Sequence, residues 1–352
     1  MTVFLTLIVI ILFAVSVWQM NKIFMLSKPE ATIDSELPTE EDNKINGYLM
    51  IGFVIFIHVL LVLCFWLWGD TLLPQAASEH GLEIDTLMLV TMALIFFVGV
   101  ITQVILHYFA FKYRGRKNQR ASFYADNDRL EFFWTIIPTI VLAGLIIYGL
   151  FTWSDIMTLD DDDDPLVIEL YAYQFDWRAR YSGQDNTLGM ANVRLIEGVN
   201  QLGVDMADPN AQDDIIVDEL HIPIGRKILF KMRSQDILHS AFMPHFRAQM
   251  NCVPGMITQF AFTPNITTTD MRLTDDIVEK VENINELRRK KSVALLAKGE
   301  EALEPYEFNF LLLCNKICGI SHYNMQMNII VDTPEDYQEW ISKQKTLATV
   351  LK

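Results

Sequence analysis

The chain is short of cysteine and of positive charge, and each shortage closes off a class of protein. Four cysteines in 352 residues, at Cys64, Cys252, Cys314 and Cys318, are too few and too unevenly placed for a disulfide scaffold. With 28 Lys and Arg against 44 Asp and Glu the net charge is −16, which argues against binding nucleic acid. An acidic surface suits a basic protein partner instead and steers its approach. No C-x-x-C-H occurs, so no c-type haem is fused to this chain. Positive charge is also missing locally. Met1 to Phe4 carries none, and no small-residue cleavage site comes after it, so the first apolar run is expected to stay as an anchor.

What the chain has in quantity is apolar sequence, and it is uneven. The residues are 51% hydrophobic with a mean hydropathy of +0.22, too greasy for a fully soluble protein and too polar for a pure membrane bundle. Four runs, at 3–20, 48–69, 86–111 and 132–154, approach the ~20 residues that cross a bilayer. Lys112, Arg114, Arg116, Lys117 and Arg120 crowd the loop between the last two runs, whereas Gly69 to Asp85 has no Lys or Arg. The positive-inside bias puts the basic loop in the cytoplasm. The linker holding Lys22, Lys28 and Lys44 is expected there too, and everything after the fourth run on the opposite, periplasmic side. The organisation expected is an N-terminal two-helix region at 1–80, a transmembrane hairpin at 81–157 and an extracytoplasmic domain at 158–352. Asp160 to Asp164, ending at Pro165, is expected to be a solvated linker rather than a calcium site.

Beyond that linker the pattern turns to strands. Pro165 to Tyr181, Ile215 to Met232, Gln259 to Thr263, Glu307 to Cys314 and Met327 to Val331 are rich in aromatic and β-branched residues. Short strands separated by turn signals predict an all-β Greek-key sandwich or barrel, with a last helix over 334–348. Thr268 to Glu304, charged and rich in helix formers, predicts an amphipathic helical insertion.

Cys314 to Met325 reads C-N-K-I-C-G-I-S-H-Y-N-M and holds the chemistry. Two thiolates, the His322 imidazole and the Met325 thioether fall in one loop, the soft ligand set that selects copper. Asp236-Ile237-Leu238-His239-Ser240 adds a histidine at a strand end, where cupredoxin-like sandwiches place one ligand. A mononuclear blue-copper site uses one Cys, two His and a weak Met; a second Cys four residues on allows two bridged coppers. His245 competes with His239 for the second imidazole, and His239 is favoured by its motif. Cys64 and Cys252 read as buried thiols, and His58 and His107 as interhelical hydrogen bonders.

Over residues 86–352 the chain resembles subunit II of the haem–copper cytochrome c oxidases. The motifs are Glu131-Phe132-Phe133-Trp134-Thr135-Ile136-Ile137-Pro138, Tyr173-Gln174-Phe175-Asp176-Trp177, Asp236 to Ser240, Val253-Pro254-Gly255 and the Cys314 loop, in the family's order. The resemblance implies a binuclear copper centre, CuA, bridged by Cys314 and Cys318, with His239 and His322 as terminal ligands. Met325 and the backbone carbonyl of Lys316 would be its axial ligands. Lys316 stands where the family has Glu and Asn251 where an acid is common, and both exchanges count against a magnesium site. Phe175 replaces the tryptophan that takes up electrons from cytochrome c, while Trp177 is kept. Glu131 matches the acid at the cytoplasmic mouth of a proton pathway. The implied partners are subunit I with its haem, other oxidase subunits, a cytochrome c or a cytochrome c domain of a donor complex, and membrane lipid. The implied setting is a bacterial cytoplasmic membrane. Three other readings remain: a quinol oxidase subunit, a membrane-anchored copper-handling protein, and a Cys314–Cys318 disulfide that staples the loop.

Overall fold

The computed structural model describes residues 2–26, 39–120, 123–159 and 164–350; Lys28 and Asp160 to Asp163 lie outside them. The chain divides into two units, Met1–Asp70 with Ala93–Trp134, and Thr71–Met92 with Thr135–Lys352.

The first unit is helical. It holds α1 (Thr2–Leu26), α2 (Glu40–Trp68), most of α3 (Glu79–Lys112) and the start of α4 (Asp128–Met157). A capping box starts α2: the Thr39 hydroxyl accepts from the Asp42 N–H at 3.1 Å, and the Asp42 carboxylate accepts from the Thr39 N–H. Tyr48 meets Phe111 at 5.2 Å, Phe53 meets His107 at 5.9 Å and Phe65 meets Phe96 at 5.0 Å, so α2 and α3 pack antiparallel. His58 and His107 do not bond between helices as the sequence suggests. Each ring Nδ1 pairs with the carbonyl four residues earlier, Val54 at 2.7 Å and Gln103 at 2.8 Å, within its own turn.

Among the described residues, three helices are long and apolar enough to cross a membrane: Glu40–Thr71, Glu79–Lys112 and Asp128–Met157. The fourth expected span is a shorter apolar stretch, Ile8–Asn21 within α1. The helices outrun the apolar stretches because their ends are set by polar caps and first-turn acids, not by hydropathy.

In the second unit, two antiparallel-rich sheets face each other. One runs β3-β2-β1-β5-β8, from Ile215–Val217, Asp176–Tyr181, Leu166–Tyr173, Ile228–Ser234 and Thr258–Phe262. The other runs β4-β10-β9-β6-β7, from Leu220–Pro223, Gln326–Asp332, Phe310–Cys314, His239–Met243 and Ala248–Cys252. Ile168, Leu170, Phe230, Ala241, Phe310, Leu312 and Ile329 interdigitate between them as one buried core. Two expected long strands are hairpins or strand series. Pro165 to Tyr181 folds back at Gln174-Phe175, and Ile215 to Met232 is broken at Asp218-Glu219 and Ile224-Gly225.

The outer face of β1 is also covered. Arg180, fully buried, bonds Glu169 at 2.7 Å and Asp214 at 2.8 Å, and Arg233 bonds Glu169 and the Leu202 carbonyl. Burial pushes Asp214 up to about 6 against the pull of Arg180, and its Oδ1 has no hydrogen-bond partner. These charges pin residues 183–214 over the sheet, with Leu202, Val204 and Ala211 packed on Tyr171.

The charged insertion folds as α5 (Thr268–Met271) and α6 (Asp275–Leu296). The last helix is shorter than expected: α7 (Pro334–Ser342) stops and α8 (Leu347–Val350) comes after it. Thr346 pairs with Ile215, and the Leu347 N–H donates to the Asp214 carbonyl at 2.8 Å, so sheet pairing draws the chain out of the helix.

A collar joins residues 74–85 to the sandwich. The Ala77 N–H donates to His245 at 2.7 Å, Glu79 to Thr263 at 3.0 Å, and Asn265 donates back to Ala77 at 3.1 Å. The buried Ser78 hydroxyl donates to the Phe246 carbonyl at 2.8 Å. Arg247 closes the joint with a two-pronged bond to Asp85, at 2.7 and 2.9 Å.

Candidate metal centre

The loop between β9 and β10 is closed at its neck and tied sideways. The Cys314 N–H donates to the Met325 carbonyl at 3.1 Å, and the Asn315 N–H donates to Ser240 on β6 at 3.0 Å. β6 starts at His239, and its Ala241 lies opposite Cys314. The sheet therefore delivers a histidine from one strand and a cysteine from its neighbour to the same face.

The ligating atoms converge. A ring nitrogen of His239 and the sulfurs of Cys314 and Cys318 lie within 4.8 Å of one another, all on buried residues. The two sulfurs are 3.8 Å apart and both cysteines are free, so no disulfide staples the loop. His239 Nδ1 is 3.7 Å from the Cys314 sulfur, and His322 Nδ1 is 3.5 Å from that of Cys318. The Met325 sulfur lies 3.8 Å from Cys318, and the Lys316 carbonyl 3.2 Å from Cys314. Of the six residues the sequence points to, the structure clusters His239, Cys314 and Cys318 and places His322, Met325 and the Lys316 carbonyl each beside one of the two sulfurs.

The donor chemistry fits a copper pair. His239 Nε2 bonds Asp236 at 2.8 Å, which leaves Nδ1 as the nitrogen facing the sulfurs. Burial raises Asp236, but hydrogen bonds from His239 and from the N–H groups of Ile237 and Gln174 outweigh it and hold the carboxyl below its usual range. Burial, with Cys314 beside it, pushes the Cys318 thiol up to about 11. A bound cation must therefore displace that proton. Burial likewise pushes Cys252, next to His239 across the β6–β7 ladder, up to about 12, which fits an inert thiol.

Residues 66–151 match the family described as "Cytochrome C oxidase subunit II, transmembrane domain", and 166–270 match "Cytochrome C oxidase subunit II, periplasmic domain". The chain belongs to the cytochrome c oxidase subunit II family. It is a haem–copper oxidase subunit with membrane helices and a cupredoxin-like domain outside the membrane. A similar relative is the "Alternative cytochrome c oxidase subunit 2" of Bradyrhizobium diazoefficiens, 28% identical over 85% of this chain and 90% of that one. The "Cytochrome c oxidase subunit 2" of Thermostichus vulcanus is 24% identical over 83% and 84%. The solved periplasmic domain of subunit II from Bradyrhizobium japonicum is 16% identical, covering 53% of this chain and 95% of that one, with a TM-score of 0.30 that adds nothing to the assignment.

The remaining family positions fall in two places. Trp177 is fully buried, its ring 6.4 Å from that of His239 and its indole N–H without a partner. Phe175 is half-buried against the Cys314–Met325 loop: a Cβ on Gly319 would lie 2.8 and 2.9 Å from its ring atoms. Glu131 is exposed in the first turn of α4, where the helix dipole favours an acid, and it belongs to the first unit. Two residues have a place at the site that their motifs alone do not assign: Gln174 donates from its side chain to the Cys318 carbonyl, and Asp236 holds His239. The i, i+3 spacing of Asp236 and His239 is a readable signal; the Tyr173–Trp177 motif marks Gln174 but not its contact with the Cys314–Met325 loop.

Proposed function

We propose that this chain is the electron-accepting subunit of a respiratory terminal oxidase. It would hold a CuA pair and pass electrons to haem in subunit I, where oxygen is reduced to water with proton translocation. The observation that supports this reading is the cluster of His239 with the buried Cys314 and Cys318 sulfurs, flanked by His322 and Met325 at Cys318 and by the Lys316 carbonyl at Cys314. Cys314, Cys318, His239, His322, Met325 and the Lys316 carbonyl would hold the metals. When bound, the copper pair supplies a one-electron store filled by a ferrous cytochrome c.

The chain's own part is to hold and exclude. The Cys314–Met325 neck and the Asn315–Ser240 bond fix the loop. Asp236 fixes the His239 ring, and burial of Cys318, Met325 and His239 keeps water from the donors. A fixed, dry site changes little between redox states. Phe175 and Trp177 are the electron-uptake residues in this reading, and Glu131 is the mouth of a proton path. Residues 158–352 would stand in the periplasm of a bacterial cytoplasmic membrane, as the cation-rich loop 112–120 supports.

The test is metal stoichiometry and EPR on the full chain in detergent. Two coppers sharing one unpaired electron are expected, with a multi-line hyperfine pattern that Cys318→Ser abolishes. One copper with a four-line pattern, or none, would sink the reading.

A further inference from the structure

The turn between β1 and β2 is bound to the metal centre in two ways that its own closure does not require. The hairpin closes through the Tyr173–Asp176 pair, and the Tyr173 hydroxyl donates to Asp176 at 3.2 Å. That leaves the backbone and side-chain donors of Gln174 for other work, and both are aimed at residues of the copper site. Its backbone N–H donates at 2.8 Å to Asp236 Oδ2, while Oδ1 of the same carboxylate holds His239 Nε2 at 2.8 Å. Its side-chain amide donates to the carbonyl of Cys318. The next residue, Phe175, lies against Gly319, where no side chain fits beneath the ring. Gln174 is itself exposed, so core packing does not explain its placement.

We propose that Gln174 is a positioning residue for electron uptake, fastening the Phe175 turn to both ligand-bearing segments and polarising the Cys318 carbonyl. The inference rests on the copper reading proposed for this chain. An amide N–H on that carbonyl draws electron density away from the cysteine, and hydrogen bonding around a cysteine ligand tunes the potential of a copper site. The same bond fixes where Phe175 sits on the loop. Gln174 thereby acts through Cys318 and Phe175, without touching a metal.

The experiment uses the full chain in detergent, loaded with copper, as wild type, Gln174→Met and Gln174→Glu. Both variants keep the length of the side chain and lose the donor. The wild type is measured first: failure to show two coppers with a shared electron refutes the copper reading itself, independently of any effect at Gln174. Given that signature, both variants are expected to keep it and to show a lower reduction potential, with Glu lower than Met. The paramagnetic NMR shifts of the Cys318 β-protons should move while those of Cys314 stay. Reduction by ferrous cytochrome c should slow, by up to about a hundredfold for a ~1 Å misplacement of the contact, and reduction by dithionite should not. Wild-type potentials and unmoved Cys318 shifts in both variants would overturn the proposal. So would failure of both to hold two coppers, since Gln174 would then be a structural residue.

Discussion

His245 shows how far burial alone can carry a side chain from its ordinary chemistry. Burial, with Lys280 and Arg247 nearby, lowers it to about 4. Its ring lies 5.4 Å from Phe308 and 5.2 Å from Phe310, and its Nε2 has no partner. A base whose folded pKa lies below its unfolded value contributes full stability above about 6.5 and loses it as the pH falls towards 4. The loss should reach about 3 kcal/mol at most. Thermal melts of the detergent-solubilised chain between pH 4 and 7 should show this slope, and His245→Leu should flatten it. The residue was weighed as a rival copper ligand on spacing alone, six positions from His239. Spacing cannot show that two phenylalanine rings pack on it, whereas Cys314, Cys318, His322 and Met325 stand out because soft donors cluster in one loop.

Elements were legible where their pattern reflects one buried face, and lost where a second layer intervenes. β1 reads as a long apolar strand because both its faces are covered, one by the core and one by residues 183–214. Its turn at Gln174-Phe175 escaped notice because it lacks Gly, Pro or Asn. The charges under that second layer make a testable element. Arg180→Met would leave Asp214 without a counter-ion and Glu169 with Arg233 alone, at a cost of about 3–5 kcal/mol. Asp214→Asn keeps an acceptor for Arg180 and removes the group that burial raises to about 6, and about 1 kcal/mol is expected. Urea unfolding of the two variants separates the cases: equal losses would mean the network does not pin the layer. The C-terminal helix was misjudged for a related reason, since its break comes from Thr346 pairing with Ile215, a distant contact that no local signal encodes.

At the scale of the whole molecule, the membrane region was readable from hydropathy and charge, and the joint to the sandwich was not. Gly69 to Asp85 stood out only for lacking cations, yet Asp85 binds Arg247 there. Asp85→Asn should lower the melting temperature of the solubilised chain by weakening a partly buried, two-pronged pair, a loss of about 2–4 kcal/mol. It should also speed limited proteolysis between residues 70 and 78, with the copper EPR spectrum unchanged. An altered spectrum would show that the joint reaches the metal site.

The collar has a practical consequence. Residues 74–85 run into the first turns of α3, one of the membrane-length helices, but hydrogen-bond like part of the sandwich, to His245, Phe246, Thr263 and Asn265. A fragment cut just after α4 would open a raw seam there, with polar groups shorn of partners and an apolar floor bared around Ala77. Such a piece should be sticky, and adding a synthetic peptide of residues 71–85 should restore its solubility. The natural border of the sandwich is thus discontinuous in sequence, and a soluble version is better made by circular permutation than by truncation.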